Sequence, residues 1–135
     1  MKVSRTIAYA VQALLQLSTA PEGIPVACGR LAADGRMPER FLLQVLRNLV
    51  RAGILRSVRG VEGGYVLNRD PATVSVLDVF EAFDNPIIPS VPPLEGLSDS
   101  AQKQLLAAMG RVATSARREL ARITVADLAR DAAPT

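Results

Sequence analysis

The stretch RSVRGVEGGYVLNRD, residues 56–70, places three glycines between two short runs of β-favouring residues. Such runs around a glycine-rich turn predict an antiparallel hairpin, with strands over 54–59 and 65–70. Gly60, Gly63 and Gly64 would permit positive φ and close backbone approach. The expected hairpin is thin at its tip and carries an arginine at its edge. It is therefore suited to insertion into a groove, although a plain hairpin with incidental arginines is the alternative.

Three helices are expected before this hairpin. Apolar periodicity predicts helices over 3–18 and 27–34, with Gly35 closing the second. The third is expected to begin at Pro38, because proline is tolerated in the first turn, and to end at Gly53. Its inward stripe, at helical spacing, comprises Leu42, Val45, Leu46 and Leu49.

The opposite side of the third helix carries side chains that read bases and phosphates. At 100° per residue these are Arg40, Gln44, Arg47, Asn48 and Arg51. An ordinary solvated face would mix in glutamate and lysine at i,i+4 spacing, and no acid lies among them. The pattern favours nucleic-acid binding over a merely solvated surface.

Charge supports the same interpretation. Residues 36–69 hold seven arginines and two acids, a net charge of +5 within a chain total of +3, so the remainder sums to −2. Arginine suits bidentate contacts to phosphate or guanine. Double-stranded DNA is therefore the expected partner. Three helices followed by a hairpin is the order of a winged helix-turn-helix, in which Arg59 would meet the negative potential of a minor groove.

The second half of the chain predicts a helical arm. A fourth helix is expected over 75–84, with Ser75 and Asp78 as a capping pair. Residues 84–97 contain four prolines and predict a loop. A long helix follows from residue 98 or 99 to 122, and Thr124 with Asp127 would cap a short last helix. Because the arm needs a surface to cover its stripe, a homodimer is expected. The stripe comprises Leu105, Met109, Val112, Ala116, Leu120 and Ile123.

The predicted fold class is mainly α with a small β-hairpin wing. The predicted organisation is a winged helix-turn-helix domain over 1–84, a Pro-rich loop over 85–97, and a dimerisation helix with a short C-terminal helix over 98–135. The chain has no run long enough to span a membrane. A soluble cytoplasmic protein is the expectation.

Composition weakens several other functions. The chain has no histidine and one cysteine. It therefore lacks the residues that most often serve as catalytic acids and bases, as metal ligands or as disulfide partners, and an enzyme is not expected. Cys28 opens the second helix, whose dipole could lower the thiol pKa and make it a redox switch. A small buried filler is the favoured alternative. The apolar residues of the 86–97 loop could line a pocket for a small-molecule effector or dock a partner protein. The loop could equally be a hinge lid packed on the long helix.

Several motifs together resemble the Rrf-two family of regulators over nearly the whole chain. They are the opening MKVSRTIAYAVQALLQLS, the helix FLLQVLRNLVRAGIL, the wing SVRGVEGGYVL with its NRDP turn, and the late ITVADL. The resemblance implies a dimeric bacterial transcription factor that binds a palindromic operator.

The resemblance also implies roles for individual residues. Arg40, Gln44 and Arg47 would approach bases or phosphates in the major groove, and Ser4, Arg5 and Tyr9 would approach the backbone. Leu43 departs from members with an acid there, and it could touch a thymine methyl. The wing contacts would come from Ser57, Arg59, Gly60, Gly63, Gly64 and Tyr65.

Cluster-binding members of the family place three cysteines in the segment matching residues 84–104, where this chain has none. Iron–sulfur clusters need several thiolate ligands. The sequence therefore predicts a cysteine-poor branch with no metal and no cofactor. A winged-helix protein-interaction module, or a regulator controlled by a partner protein, remains the alternative.

Overall fold

A computed structural model describes residues 3–83, 87 and 91–132 of the chain. A two-stranded antiparallel hairpin interrupts an otherwise helical chain, which confirms the predicted fold class. The elements are α1 (Arg5–Thr19), α2 (Cys28–Gly35), α3 (Glu39–Arg51), β1 (Leu55–Val58), β2 (Gly64–Leu67), a 3-10 turn (Pro71–Thr73), α4 (Val76–Ala82), α5 (Asp99–Arg122) and α6 (Val125–Ala132).

The core is mainly aliphatic, with Phe80 among its buried side chains, and it gathers one face of several helices around α3. The predicted stripe of α3 is confirmed, since Leu42, Val45, Leu46 and Leu49 are at most 1% exposed. α1 adds Ile7 and Leu14, and further buried side chains come from α2, β1, α4 and α6. With the inward side of α3 fixed in this way, its polar side must face outward.

The end of α2 differs from the prediction that Gly35 closes it. Gly35 is the last helical residue, and Arg36 takes the left-handed conformation, at φ 54°. Packing explains the glycine, because a Cβ there would lie 2.7 Å from the amide ends of Gln12 and Gln16. The Gln12 amide instead donates to the Gly35 carbonyl at 2.8 Å.

The start of α3 also shifts slightly, while its end is as predicted. Pro38 is the extended residue just before the helix rather than its first turn. Gly53 has φ 81°, and the Ile54 amide donates to the Leu49 carbonyl at 3.0 Å. This turn sends the chain directly from α3 into the wing.

The wing (residues 55–67) is shorter than predicted. Its register pairs Leu55 with Leu67 and Val58 with Gly64. Beyond Leu67 the Asn68 side chain donates to the Gly53 carbonyl at 3.1 Å, and Pro71 begins the 3-10 turn. The side-chain bond and the proline end strand pairing before residue 70.

The C-terminal helix packs back onto the DNA-binding domain predicted from the sequence. Residues 74–76 and 123–125 form a short antiparallel ladder, in which the Val125 amide donates to the Val74 carbonyl at 2.9 Å. α6 packs against α1, and Val125 is 1% exposed. The predicted domain bounds assigned α6 to the arm, whereas its packing groups it with residues 3–83.

Both predicted capping pairs form. The Ser75 hydroxyl accepts from the Asp78 amide at 3.0 Å, and the Asp78 carboxylate accepts from the Ser75 amide. Thr124 and Asp127 make the same reciprocal bonds at the start of α6. These pairs fix where α4 and α6 begin.

α5 is covered along only part of its length. Ala113 is buried and Leu120 packs against the core, where α5 meets α4. Towards the start of the helix the apolar side chains are exposed, by 44–55%. They are Leu105, Leu106, Met109 and Val112. Leu105, Met109 and Val112 of the predicted stripe therefore lack intramolecular cover. Ile123, at the helix end, is also exposed, by 39%.

Candidate nucleic-acid interface

The outer face of α3 (Arg40, Gln44, Arg47, Asn48 and Arg51) lies at the surface as predicted. Four of these side chains are exposed and Asn48 is half-buried. The Asn48 side-chain oxygen accepts from the Arg51 guanidinium at 3.4 Å, so these two form one polar pair near the helix end. Arg40, Gln44 and Arg47 lie nearer the start, where a recognition helix contacts bases.

The arginines of this region keep their charge uncompensated. Within the described ranges, the four ion pairs closer than 4 Å use Arg30, Arg69, Arg122 and Arg130. None of them uses an arginine of α3 or of the wing between residues 55 and 67. These charges are available for a polyanion.

The wing tip is a tight turn that requires glycine. The Gly63 amide donates to the Gly60 carbonyl at 3.0 Å, and Gly60 has φ 118°. A Cβ on Gly63 would collide with the Val58 carbonyl oxygen. The predicted need for close backbone approach is confirmed at this position, and Ser57 and Arg59 are exposed beside the tip.

A third chain segment holds the wing, which the sequence did not indicate. The Val26 amide donates to the Tyr65 carbonyl at 3.1 Å, and the Tyr65 amide donates to the Val26 carbonyl at 2.9 Å. A Cβ on Gly64 would strike the Val26 backbone, so glycine is needed here as well. One β-branched residue after Pro25 is too short a strand signal to recognise. The bridge fixes the wing against the start of α2.

Tyr65 links the wing to α3. Burial and then the neighbouring Cys28 raise the pKa of its phenol, while the positive charge of Arg47 opposes them. α3 also packs against β1, the first strand of the wing. The structure brings the two predicted binding elements together at this point.

Cys28 does not have the electrostatics predicted for a redox switch. It is half-buried, and its thiol donates to the Glu39 carbonyl at 3.8 Å. Burial, and then the Glu39 carboxylate, raise the pKa of the thiol. The raised pKa runs against the less favoured of the two sequence-based hypotheses, in which the helix dipole lowers it. Less thiolate means a less reactive sulfur, which favours the role of a packing residue.

The predicted contacts of α1 divide into two kinds. Ser4 and Arg5 are exposed at its start, and the Ser4 hydroxyl caps the helix by accepting from the Ile7 amide at 3.2 Å. Tyr9 is half-buried, and its ring meets that of Phe41 edge to face, with centroids 5.5 Å apart. Sequence reasoning did not select Phe41, which lies on α3 beside the outer face.

The rest of the predicted site lies partly outside the described residues. Of the 86–97 loop, residues 86 and 88–90 are not described, while the Ile87 carbonyl accepts from the Arg117 guanidinium of α5 at 2.5 Å. No helix in the described ranges combines the length and the apolar character needed to cross a bilayer.

Comparisons with known proteins give a consistent result. The family model of Rrf2 (Rrf-two), described as iron-dependent transcriptional regulator, matches residues 3–131. A Mycobacterium tuberculosis protein named as an HTH-type transcriptional regulator is 38% identical, over 99% of this chain and 84% of its own. The HTH-type transcriptional regulator CymR of Bacillus subtilis is 28% identical over 96% of this chain and 90% of its own.

Solved structures agree with these sequence relatives. The structure of CymR, the global cysteine regulator of B. subtilis, superposes with a TM-score of 0.79 at 26% identity, covering 98% of this chain and 99% of that one. T. potens IscR superposes with a TM-score of 0.76 at 30% identity, covering 98% and 89%. Both likenesses extend over the wing, the arm and α6.

The family description names iron, and an iron–sulfur centre needs several thiolate ligands. The sequence has one cysteine and no histidine. Within residues 3–83, 87 and 91–132, no three His, Cys, Asp or Glu side chains come close enough together to hold a metal ion. These donors do not fit an iron–sulfur centre, which needs several thiolates.

Proposed function

Because the chain belongs to the Rrf2 family of transcriptional regulators, we propose that it is a homodimeric, sequence-specific DNA-binding regulator that reads a palindromic operator. The family and its relatives are regulators, and the chain is not an enzyme. We propose further that it acts in the cytoplasm as a repressor and without a cofactor.

The proposed reader is the outer face of α3, lying in a major groove. Arg40, Gln44 and Arg47 are exposed in the first turns, where base edges come within reach. Arginine can donate to guanine O6 and N7, and glutamine can bond adenine N6 and N7. Asn48 and Arg51, further along the helix, would contact phosphates.

The proposed second contact is the wing, with Arg59 in the neighbouring minor groove. The tip turn contains Gly60 and Gly63, which carry no side chain, and Ser57 lies on the adjoining strand. A narrow minor groove concentrates negative potential and attracts arginine. Backbone contacts from Ser4, Arg5 and the glycines would fix the register.

One observation carries this proposal: α3, whose outer face bears the arginines, packs directly against β1 of the wing. The bridge from Tyr65 to Val26 holds the wing to α2, which packs against α3. Two basic elements held together by the same short segment are suited to adjacent grooves of one duplex.

The proposed dimer contact is the uncovered half of α5. Leu105, Met109 and Val112 are all at least 46% exposed at helical spacing. A second copy related by a two-fold axis would cover them with the same stripe. The two winged helix-turn-helix domains related by that axis would match the two half-sites of a palindrome.

The test is selection of bound duplexes from a random-sequence library, followed by affinity measurements on the selected duplex. We expect a palindromic consensus and a steep loss of affinity with salt, because several arginines displace counterions. Arg47→Ala should weaken binding at least about fivefold, the loss of one good base contact of about 1–3 kcal/mol. Arg118→Ala, an exposed arginine on α5, is the matched control and should change little.

Failure to enrich any duplex, together with capture of a stable protein complex, would favour a winged-helix protein-interaction module. The direction of regulation has its own readout. As a repressor, the protein should lower expression from a reporter whose promoter overlaps the selected duplex, and deletion of that duplex should restore expression. We also propose that an effector or a partner protein controls DNA binding from the 86–97 loop, where the Arg117 guanidinium donates to the Ile87 carbonyl.

A further inference from the structure

An aromatic ring stands partly exposed beside the outer face of α3. Phe41 is 41% exposed, next to Arg40 and three residues before Gln44. The chain has only five aromatic residues, and Phe80 is buried in the core. Single exposed apolar side chains are common on proteins, so exposure alone does not indicate a binding role. The contact of this ring with Tyr9 and its place on α3 do indicate one.

Tyr9 of α1 holds the ring of Phe41 in place. The two ring planes are inclined by 76°, with centroids 5.5 Å apart, the edge-to-face geometry that aromatic pairs prefer. Tyr9 is itself half-buried against the core. The orientation of Phe41 is therefore set before any ligand arrives, which lowers the entropic cost of a contact made by this ring.

The place of Phe41 on the helix determines what it can meet. It lies in the first turn of α3, where a recognition helix contacts base edges. Residues three apart are neighbours on a helix surface, so the ring lies beside the Gln44 side chain. The apolar group that a base presents in the major groove is the thymine methyl.

We propose that Phe41 is a specificity-determining residue that packs against a thymine 5-methyl group, next to the base read by Gln44. Tyr9 is the positioning residue for its ring. The inference rests on the proposed function, in which α3 enters the major groove. Leu43 is the competing apolar residue; it is half-buried on the other side of Gln44.

The experiment uses the full chain and the duplex selected for it, with thymines replaced one at a time by deoxyuridine. This replacement removes only the methyl group. At one position in each half-site we expect about fourfold weaker binding, the effect of no longer burying one methyl. With Phe41→Ala the same replacement should cost nothing further, because the partner of the methyl is already gone.

Companion variants separate the roles. Phe41→Leu should retain part of the methyl dependence, and it serves as the second variant should Phe41→Ala fold poorly. Tyr9→Phe should keep the full dependence and Tyr9→Ala should reduce it, because the ring and not the hydroxyl positions Phe41. Leu43→Ala should leave the deoxyuridine effect unchanged.

The proposal is overturned if deoxyuridine costs the same in the wild type and in both Phe41 variants, or if no thymine position is sensitive. It is also overturned if Leu43→Ala alone abolishes the sensitivity. These results leave the proposed function intact, since the wild-type protein still binds the duplex. Failure of the wild type to bind any selected duplex instead removes the proposed function, and this inference with it.

Discussion

Gly64 lies where the wing strand passes the backbone of Val26. The atoms in its way belong to the main chain and cannot rotate aside, and its φ is 156°. Gly64→Ala should therefore lower the free energy of unfolding by about 2–3 kcal/mol and weaken DNA binding, because the wing must leave α2. Denaturant unfolding measures the first effect. Gly96→Ala, with open space around its Cβ, is the control and should be near neutral.

Glu62 places a negative charge at the exposed wing tip, two residues after Gly60. In the proposed complex this carboxylate faces the phosphates. Glu62→Gln should tighten binding about threefold at low salt, and the gain should shrink as salt screens the charge. Titrations of the selected duplex at two salt concentrations measure this, with Glu95→Gln as the control. Weaker binding by Glu62→Gln would contradict a wing directed at DNA.

At the scale of elements, α6 depends on a charged cap. Hydrogen bonds from the Thr124 backbone and side chain, assisted by Arg130, lower the pKa of Asp127 below its ordinary 3.8. A lowered pKa in the folded state stabilises the protein above pH 3.8, and this stabilisation is lost as the pH falls through the folded-state pKa. We expect the Tm of the wild type to exceed that of Asp127→Asn at neutral pH. The gap should close in acid.

Thermal unfolding of both proteins between pH 7 and the acid limit of solubility gives this comparison. Asp99→Asn is the control, because Ser98 and not Asp99 caps α5. A constant gap across the whole pH range would show that the Asp127 charge contributes nothing to the cap.

Local signals were enough to predict most elements. The stripe of α3, the two capping pairs and the glycine turn of the wing all follow from spacing within a few residues of the chain. The Val26 bridge, the return of α6 to α1 and the ring contact of Tyr9 with Phe41 join residues 30 or more apart. No periodicity encodes such contacts. Gly35 misled the prediction because its small size serves helix packing rather than a turn.

At the scale of the whole molecule, the uncovered half of α5 predicts how the chain assembles. Leu105→Glu with Val112→Glu would place two charges in the proposed seam, whose desolvation is costly. We expect this double variant to sediment as a monomer and to bind the palindromic duplex at least tenfold more weakly. Ala107→Glu, on the opposite side of α5, should remain dimeric. A dimer that survives both charges would place the contact elsewhere.

The arm is joined to the winged helix-turn-helix domain by direct packing. α5 runs into the 123–125 ladder, and α6 packs on α1, the helix that carries Tyr9. In the proposed dimer, a change in how the two α5 helices cross would therefore move the two winged domains relative to each other. We propose that an effector or partner at the 86–97 loop, whose Ile87 carbonyl accepts a hydrogen bond from Arg117, acts on operator affinity through this packing.

The account depends most on α3 and the wing binding one duplex in adjacent grooves. Hydroxyl-radical footprinting of the selected duplex tests this directly, because protection of each sugar reports its local contact. We predict that Arg59→Ala loses protection at the outer minor groove and keeps it around the major groove that α3 occupies, with the reverse loss for Arg47→Ala. Identical footprints for the wild type and the Arg59→Ala variant at saturating protein would contradict it.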